Sequence, residues 1–367
     1  MNSPLVQRLI GEIETSTDAS LRACRMAEVA CYWARVGEFD EAQRIRKELR
    51  QEYGDGRSLQ VSVLIMVLEA LLLFFQDLDP AARDRLARAN LLSVASRDGR
   101  LTALTAAWLA HIDFNLNRFE SMSASLAAAL TALEGDDGTV ECRASLVLGD
   151  AHLFCGDRAC SQRWYERARI AAVRLGDQAA VAAITYNRAA LTVARLRFSG
   201  IEVSATPLEI AGARAEVKSA INYQAVARIR SLDHLLQSAH IGALMLEGGF
   251  KEAAELIPAL LVSKSVPKES GEAMLLKADL ALSLAELGEA EQAKLALDSV
   301  GLEPVEKLSA DDGALISASM SKAALRLGDV SGGDKFKRRS SELAVRHADR
   351  VRILGELIRP FDVDAAS

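Results

Sequence analysis

The chain has 367 residues and a formal net charge of −6, from 44 basic and 50 acidic side chains. This mild acidity argues against bulk binding to nucleic acid, which favours basic surfaces. Half of the residues are hydrophobic and only 5% are aromatic, a composition that suits close packing between helices rich in alanine and leucine.

Three features of the sequence bear on location. The first residues lack a basic stretch followed by an apolar one, so no secretory signal is predicted. The longest apolar run, around Val61 to Phe75, contains Ser62 and Glu69 and is too short to cross a membrane. Five cysteines, an odd number in a large chain, fit a reducing compartment. We therefore expect a cytoplasmic protein without a membrane segment.

Apolar residues recur at steps of three and four along nearly the whole chain, which is the period of α-helices. The pattern predicts an opening helix over 4–14 and eight helix pairs over about 18–346, with the last helix continuing to 358. Pro360 ends that helix, and residues 361–367 are predicted to form a flexible tail. We expect one all-α domain over 1–360.

Eight related six-residue turn segments separate the two helices of each predicted pair. They begin at Gly37, Asp77, Asn117, Gly156, Leu196, Gly248, Gly288 and Gly328. The steps between them are 40, 40, 39, 40, 52, 40 and 40 residues. A period of about 40 with a central turn predicts stacked helical hairpins that share one core.

The longer step of 52 residues predicts an insertion over 198–206, just before a helix start. Thr206 and Glu209 form a capping box there, with Pro207 at the first helical position. Insertions in repeat arrays map to loops on one face, where they either serve a function or are simply tolerated. Both interpretations of this segment stay open at this point.

The turn segments resemble the tetratricopeptide repeat. The hairpin around Gly156 carries the resemblance best, with a Leu-Gly pair on its first helix and small and aromatic residues on its second. Those residues are Leu148, Gly149, Ser161, Tyr165 and Ala168. The period of about 40 residues exceeds the usual 34 of this repeat and is similar to that of the longer repeats of bacterial regulators. HEAT-type repeats also have a period near 40 residues. Turns of the form Gly-acidic-x-x-x-Ala favour the tetratricopeptide-like interpretation over the HEAT-type one.

The resemblance implies a right-handed superhelical solenoid of about eight antiparallel helix pairs, with a concave groove lined by the first helix of each pair. Carried over residue by residue, it implies ten groove residues that lean aromatic and polar. They are Arg35, Phe74, Phe75, His111, Phe114, Asn115, Arg143, Asp150, Phe154 and Tyr186. The alternative for the apolar members is burial between neighbouring hairpins.

No motif typical of a common enzyme class occurs, whether a phosphate-binding glycine loop, His-Glu-x-x-His or Gly-x-Ser-x-Gly. His152, Cys155 and Cys160 lie close together in the sequence. A structural zinc site needs four ligands, and the sequence offers no convincing fourth. We therefore predict no enzymatic activity, no metal and no cofactor.

These observations favour a non-catalytic scaffold or adaptor that holds a protein or peptide partner in the concave groove. The alternative is a sensor that binds a signalling peptide or small molecule and controls a partner protein. A long apolar stripe is expected for the first function and a single deep pocket for the second. The sequence leaves the partner and the oligomeric state open.

Overall fold

The computed structural model describes residues 3–132, 137–201, 205–263, 266–268, 270–300, 305 and 308–361. These residues form seventeen helices and no strand, so the predicted all-α class is confirmed. The predicted tail at 361–367 lies outside the described residues except for Phe361.

The helices follow the predicted order of one opening helix and eight pairs. The first nine are α1 Pro4–Thr15, α2 Ala19–Val36, α3 Phe39–Tyr53, α4 Leu59–Asp77, α5 Ala81–Ser96, α6 Gly99–Asn115, α7 Phe119–Ala132, α8 Gly138–Phe154 and α9 Arg158–Leu175. The others are α10 Gln178–Ser199, α11 Pro207–Ala227, α12 Asp233–Glu247, α13 Phe250–Leu261, α14 Gly271–Glu286, α15 Ala290–Asp298, α16 Ala310–Arg326 and α17 Val330–Ile358.

Left-handed backbone at the turns explains why glycine recurs at the start of the turn segments. Five of the eight segments begin with a glycine at positive φ, from +74° at Gly248 to +89° at Gly37. Glycine adopts this conformation without steric cost, and it closes the last turn of a helix. Asn117 takes the same conformation with φ of 55°. The turn chemistry thus sets the length of each first helix.

The turn predicted at Leu196 is wrong, because α10 continues through that position to Ser199. Leu196, Arg197 and Phe198 are compatible with a helix, and no glycine occurs between Gln178 and Ser199. The additional residues of the 52-residue step are shared between two long helices, of 22 and 21 residues, and the connection between them. They are therefore not confined to 198–206, of which 202–204 lie outside the described residues.

The predicted capping box is present, since the Glu209 N–H donates to Thr206 Oγ1 at 3.3 Å and the Thr206 N–H donates to Glu209 at 3.1 Å.

The chain divides into two compact units. Unit 1 comprises Met1–Thr185, Asn222–Leu232 and Leu354–Ser367, and unit 2 comprises Tyr186–Ile221 and Asp233–Ile353. The sequence predicts a single domain, but the chain alternates between these units, and neither of them is a continuous segment.

In unit 1, the first helices of the pairs form a row. Helix α2 packs on α4, α4 on α6 and α6 on α8, while α3, α5, α7 and α9 each pack against the first helix of their own pair. The row is heavily buried: twelve residues each of α4 and α6 are buried, against four each of α3 and α5. The second helices therefore form the outer layer.

Helix α1 lies against the connection between α9 and α10. Ser3 Oγ donates to the carbonyl of Gly176 at 2.9 Å, and a Cβ added to Gly176 would lie 2.6 Å from Pro4 Cβ. Gly176 has φ of +72°, so both its backbone conformation and its close contact with Pro4 require glycine. The contact connects the beginning of unit 1 to the end of its fourth hairpin.

Unit 2 repeats the same packing. Helix α12 packs on α13 and α14, and α14 packs on α15 and α16. Ser321 in α16 donates to the carbonyl of Gly333 in α17 at 2.8 Å, so these helices also approach closely. Helical-repeat packing is thus present in both units.

Helix α4 is long and apolar enough to span a membrane by length and composition, with 56% of its most apolar window buried. It packs against α2, α5 and α6. Glu69 on this helix pairs with Arg50 at 2.9 Å. These contacts are those of a core helix in a globular unit, and such a helix is weak support for a membrane segment.

Candidate functional site

A cavity of about 410 Å³ lies within unit 1, where the row of first helices meets α1 and the start of α10. Its volume lies in the range of small-molecule sites. One wall is apolar and includes Leu64 and Val67 of α4 with Leu104 and Trp108 of α6. The remaining walls carry charged side chains. We call this feature the unit 1 cavity.

Within the described ranges of the chain, the charged groups of the unit 1 cavity are five arginines and four carboxylates. They are Arg8, Arg25, Arg35, Arg100 and Arg143, with Glu12, Glu28, Asp137 and Asp177. Most are paired: Arg25 contacts Glu12 and Glu28 at 2.6 and 2.7 Å, and Arg100 contacts Glu28 at 2.8 Å. These pairs connect α1, α2 and α6 around the cavity.

Two of the carboxylates cap helices with one oxygen and bind an arginine with the other. Asp137 Oδ1 accepts the N–H of Thr139 at 2.9 Å, while its Oδ2 lies 3.0 Å from Arg100. Asp177 Oδ1 accepts the N–H of Ala180 at 3.0 Å, while its Oδ2 lies 2.8 Å from Arg35. The start of a helix favours an acidic side chain, so each aspartate joins a helix cap to an arginine of the cavity.

Arg35 is nearly buried and forms an ion pair with Asp177. Burial alone would lower its pKa, but the charge of Asp177 and their hydrogen bond raise the pKa above the ordinary arginine value. The guanidinium also lies 5.5 Å from the ring centre of Tyr32. Arg35 therefore holds α2 against the start of α10 within unit 1.

Arg143 differs from the other cavity arginines. It is 4% exposed, and its guanidinium carbon lies 3.7 Å from the ring centre of Trp108. Its Nη1 is buried and has no hydrogen-bond partner, and no carboxylate in the described part of the chain forms an ion pair with it. Burial, with repulsion from Arg35, lowers the pKa of Arg143 to about 10. It remains a cation at neutral pH.

Two cysteines also line the cavity and are neutral. Burial raises the pKa of Cys31 and of Cys142 to about 12. Neither thiol therefore supplies a negative charge to Arg143 at neutral pH, and neither has the thiolate character of a reactive cysteine.

Of the ten residues predicted to line a groove, only Arg35 and Arg143 line the unit 1 cavity. Phe74, Phe75 and His111 lie in the core of unit 1, where Phe74 packs edge-on against His111 at 5.7 Å between ring centres. Burial, with the charge of Arg143, lowers the pKa of His111 well below its usual value. This histidine is therefore a neutral core residue.

The other predicted groove residues have separate surroundings. Phe114 and Phe154 pack edge-on at 6.0 Å, and Asn115 donates to the carbonyl of His111 at 2.8 Å. Asp150 is 1% exposed and accepts from the hydroxyl of Tyr165 at 2.7 Å. Tyr186 belongs to unit 2 and packs against its core. A groove function for these residues stays a prediction.

Sequence reasoning missed Trp108 and all four carboxylates of the cavity. Asp137 and Asp177 stand directly before helices, where the sequence indicates only caps. Glu12 and Glu28 lie on amphipathic helices among other charges. Arg35, Arg100 and Arg143 stand at different positions of α2, α6 and α8, so the repeat spacing gives no signal that brings them together.

The three residues considered for metal binding are partly brought together. His152, Asp157 and Cys160 have ligand atoms within 4.8 Å of one another, whereas Cys155 does not join them. Asp157 caps α9 through the N–H of Cys160 at 3.1 Å and lies 3.4 Å from His152. Three ligands suit only an open catalytic zinc site. The absence of a metal stays a prediction.

Comparison with known proteins adds no family assignment. No protein-family model matches the chain, and no curated protein matches it significantly.

Proposed function

We propose that this protein is a non-catalytic ligand-binding protein of the cytoplasm, and that its ligand occupies the unit 1 cavity. The cavity, bounded by α1 and by the first helices of four successive hairpins, is the observation that supports this function. We further propose that the hairpins form a right-handed, tetratricopeptide-like solenoid. The turn glycines and the two-layer packing support that proposal.

The cavity favours the sensor over the scaffold. An adaptor for an extended peptide requires an accessible apolar stripe, but Phe74, Phe75 and Phe114 are each at most 9% exposed. A volume of about 410 Å³ instead suits a small molecule or the end of a peptide. Because the cavity residues come from several helices, a bound ligand would connect them and reduce their motion. We propose that this change controls a protein partner.

The experiment combines native mass spectrometry of the purified protein with a thermal-shift screen of metabolites and short peptides. A ligand of the cavity raises the melting temperature by mass action. Leu104→Trp, which places a larger side chain in the cavity, should abolish the shift. Ala318→Trp is the matched control, because Ala318 lines a separate pocket of unit 2. Equal shifts in Leu104→Trp and the wild type would contradict the proposed function.

A further inference from the structure

Arg143 is the surplus cation of the unit 1 cavity. Among the described residues that line the cavity, five arginines face four carboxylates, so one positive charge has no counterpart there. The other buried arginine, Arg35, has a carboxylate at 2.8 Å, whereas the Nη1 of Arg143 has no partner. A buried charge without a counter-ion is costly, so proteins usually pair it.

The two carboxylates whose charges act on Arg143, those of Asp177 and Asp150, are already engaged. Asp177 caps α10 and pairs with Arg35. Asp150 accepts the hydroxyl hydrogen of Tyr165 at 2.7 Å. Stacking on Trp108 holds the guanidinium plane but leaves its N–H groups available. The side chain is thus oriented in advance while its buried Nη1 has no acceptor.

We infer that the unit 1 cavity binds a monoanionic carboxylate with an apolar body, whose carboxylate accepts hydrogen bonds from the guanidinium of Arg143. This inference rests on the proposed function and specifies the ligand. The apolar body lies against Leu64, Val67 and Leu104, which are each at most 6% exposed.

The charge balance favours a carboxylate over a phosphate monoester. One carboxylate neutralises the surplus charge of the described lining residues, whereas a phosphate dianion would leave a negative charge beside the buried Trp108 and Arg143. A guanidinium edge also matches the two oxygens of a carboxylate. A cavity of about 410 Å³ lies at the lower end of the volumes that hold small molecules, so the apolar body of the ligand is short. Medium-chain fatty acids and N-acylated peptides with a free C-terminus both have this chemistry.

Calorimetric titration of the wild type with octanoate, octanamide, octyl phosphate and an N-acetylated Leu-Leu dipeptide tests the inference. The dipeptide is used with a free and with an amidated C-terminus. We expect octanoate or the free-acid dipeptide to bind, and their amides to bind at least about tenfold more weakly, since a hydrogen bond to a charged group is lost. Which of the two acids binds more tightly identifies the source of the carboxylate.

Arg143→Met and Arg35→Met are the matched variants. We expect Arg143→Met to lose about tenfold or more of the affinity for the acid, while the melting temperature without ligand rises or is unchanged, because an unbalanced buried charge is removed. Arg35→Met should instead lower the melting temperature, since Asp177 is left unpaired. If Arg143→Met does not fold, Arg143→Lys replaces it and is expected to keep only part of the affinity.

Several results would overturn the inference. They are equal binding of octanamide and octanoate, tighter binding of octyl phosphate, retained acid affinity in Arg143→Met, or no binding of either acid. A drop in melting temperature of Arg143→Met equal to that of Arg35→Met would show a structural role instead. None of these results affects the proposed function, which is tested by Leu104→Trp with any ligand from the screen.

Discussion

Two arginines of the unit 1 cavity differ in how their charge is stabilised. Arg35 is held by Asp177, which is itself positioned as a helix cap. Arg143 has an aromatic ring on one face and an N–H edge without an acceptor. A buried ion pair adds little net stability to the folded protein. Removal of one partner is nevertheless strongly destabilising, because the other charge stays buried without a counter-ion. The two positions therefore differ in what substitution does to the protein.

Substituting Arg35 should destabilise unit 1 strongly. We expect Arg35→Met to lower the free energy of unfolding by about 3–5 kcal/mol, because the carboxylate of Asp177 stays buried without its counter-ion. Urea denaturation measured by circular dichroism checks this value. The double variant Arg35→Met/Asp177→Asn should recover part of the loss, since the asparagine keeps the cap without the charge. A loss below about 1 kcal/mol in the single variant would mean that the pair behaves as an exposed one.

Unit 2 contains a glutamate with a strongly shifted pKa. Burial, opposed by the hydroxyl of Ser238 and assisted by the charge of Asp312, raises the pKa of Glu272 to about 7. His234 lies 3.5 Å from this carboxylate, but burial lowers the pKa of that histidine, so at neutral pH it does not supply a positive charge. The folded protein therefore binds the carboxyl proton more tightly than the unfolded chain does.

The stability of unit 2 should fall as the pH rises through this range. The contribution of Glu272 to the free energy of unfolding is fully present below the ordinary glutamate pKa of 4.5. It decreases as the pH rises to about 7, and it does not change further above that pH. Its full size is on the order of 3 kcal/mol. Glu272→Gln should remove this part of the pH dependence, measured by urea denaturation between pH 5 and pH 8. The prediction fails if both proteins show the same slope.

At the scale of elements, α8 and α9 pack so closely that glycine is needed at the contact. A Cβ added to Gly149 would lie 2.8 Å from the ring of Tyr165, and Ser161 Oγ donates to the carbonyl of Gly149 at 2.9 Å. The same Tyr165 hydroxyl binds Asp150. The ring therefore has little freedom to move away from a larger residue at position 149.

Gly149→Ala should destabilise the protein by about 1–3 kcal/mol, because overpacking forces the tyrosine or the helix to shift. Gly11→Ala is the matched control: it also lies within a helix, but nothing lies within 4 Å of the added Cβ. Helix propensity alone should make that variant more stable by about 0.5–1 kcal/mol. Thermal and urea unfolding of both variants separate the two effects, and a stabilised Gly149→Ala would disprove the close contact.

Helices were the most predictable part of this fold. Their periodicity, the turn glycines and the capping box of Thr206 and Glu209 act within a few residues, so local sequence is enough to indicate them. The turn at Leu196 was mispredicted because it was assigned from the repeat register, whereas the helix there continues to the next glycine. Local chemistry outweighed the periodic pattern at that position.

The candidate site was predictable only in part, because burial depends on how helices face one another. Arg35 and Arg143 were expected on an inner face and do line a cavity. Phe74, Phe114 and His111 were assigned to the same face, but helices as apolar as α4 and α6 are buried on most sides. The pairing of charged side chains across α1, α2, α6 and α8 could be found only from the structure, because these residues come from distant parts of the chain.

At the scale of the whole molecule, the end of α17 completes the core of unit 1. Leu354 and Ile358 are at most 2% exposed and pack in one cluster with Phe119, Leu126 and Trp164. Ser123 Oγ also donates to the carbonyl of Leu357 at 3.1 Å. The last turns of the helix thus bury part of the second layer of this unit.

Leu354→Ala should lower the free energy of unfolding by about 2–5 kcal/mol, the usual cost of a cavity in a packed core. Val345→Ala on the same helix is the control, because Val345 is 66% exposed and its truncation should change stability by no more than about 0.5 kcal/mol. Urea denaturation measures both. Equal effects in the two variants would show that the end of α17 does not belong to the core of unit 1.

The alternating course of the chain also governs when the protein can finish folding during its synthesis. Met1–Thr185 is synthesised before unit 2, but the remaining parts of unit 1 are Asn222–Leu232 and Leu354–Ser367, and the second of these is synthesised only after all of unit 2. Until then, the apolar surface beneath Leu354 and Ile358 stays open in the nascent chain. Unit 1 must therefore wait until translation has passed Leu354 and Ile358, and exposed surface of this kind during synthesis is what chaperones bind.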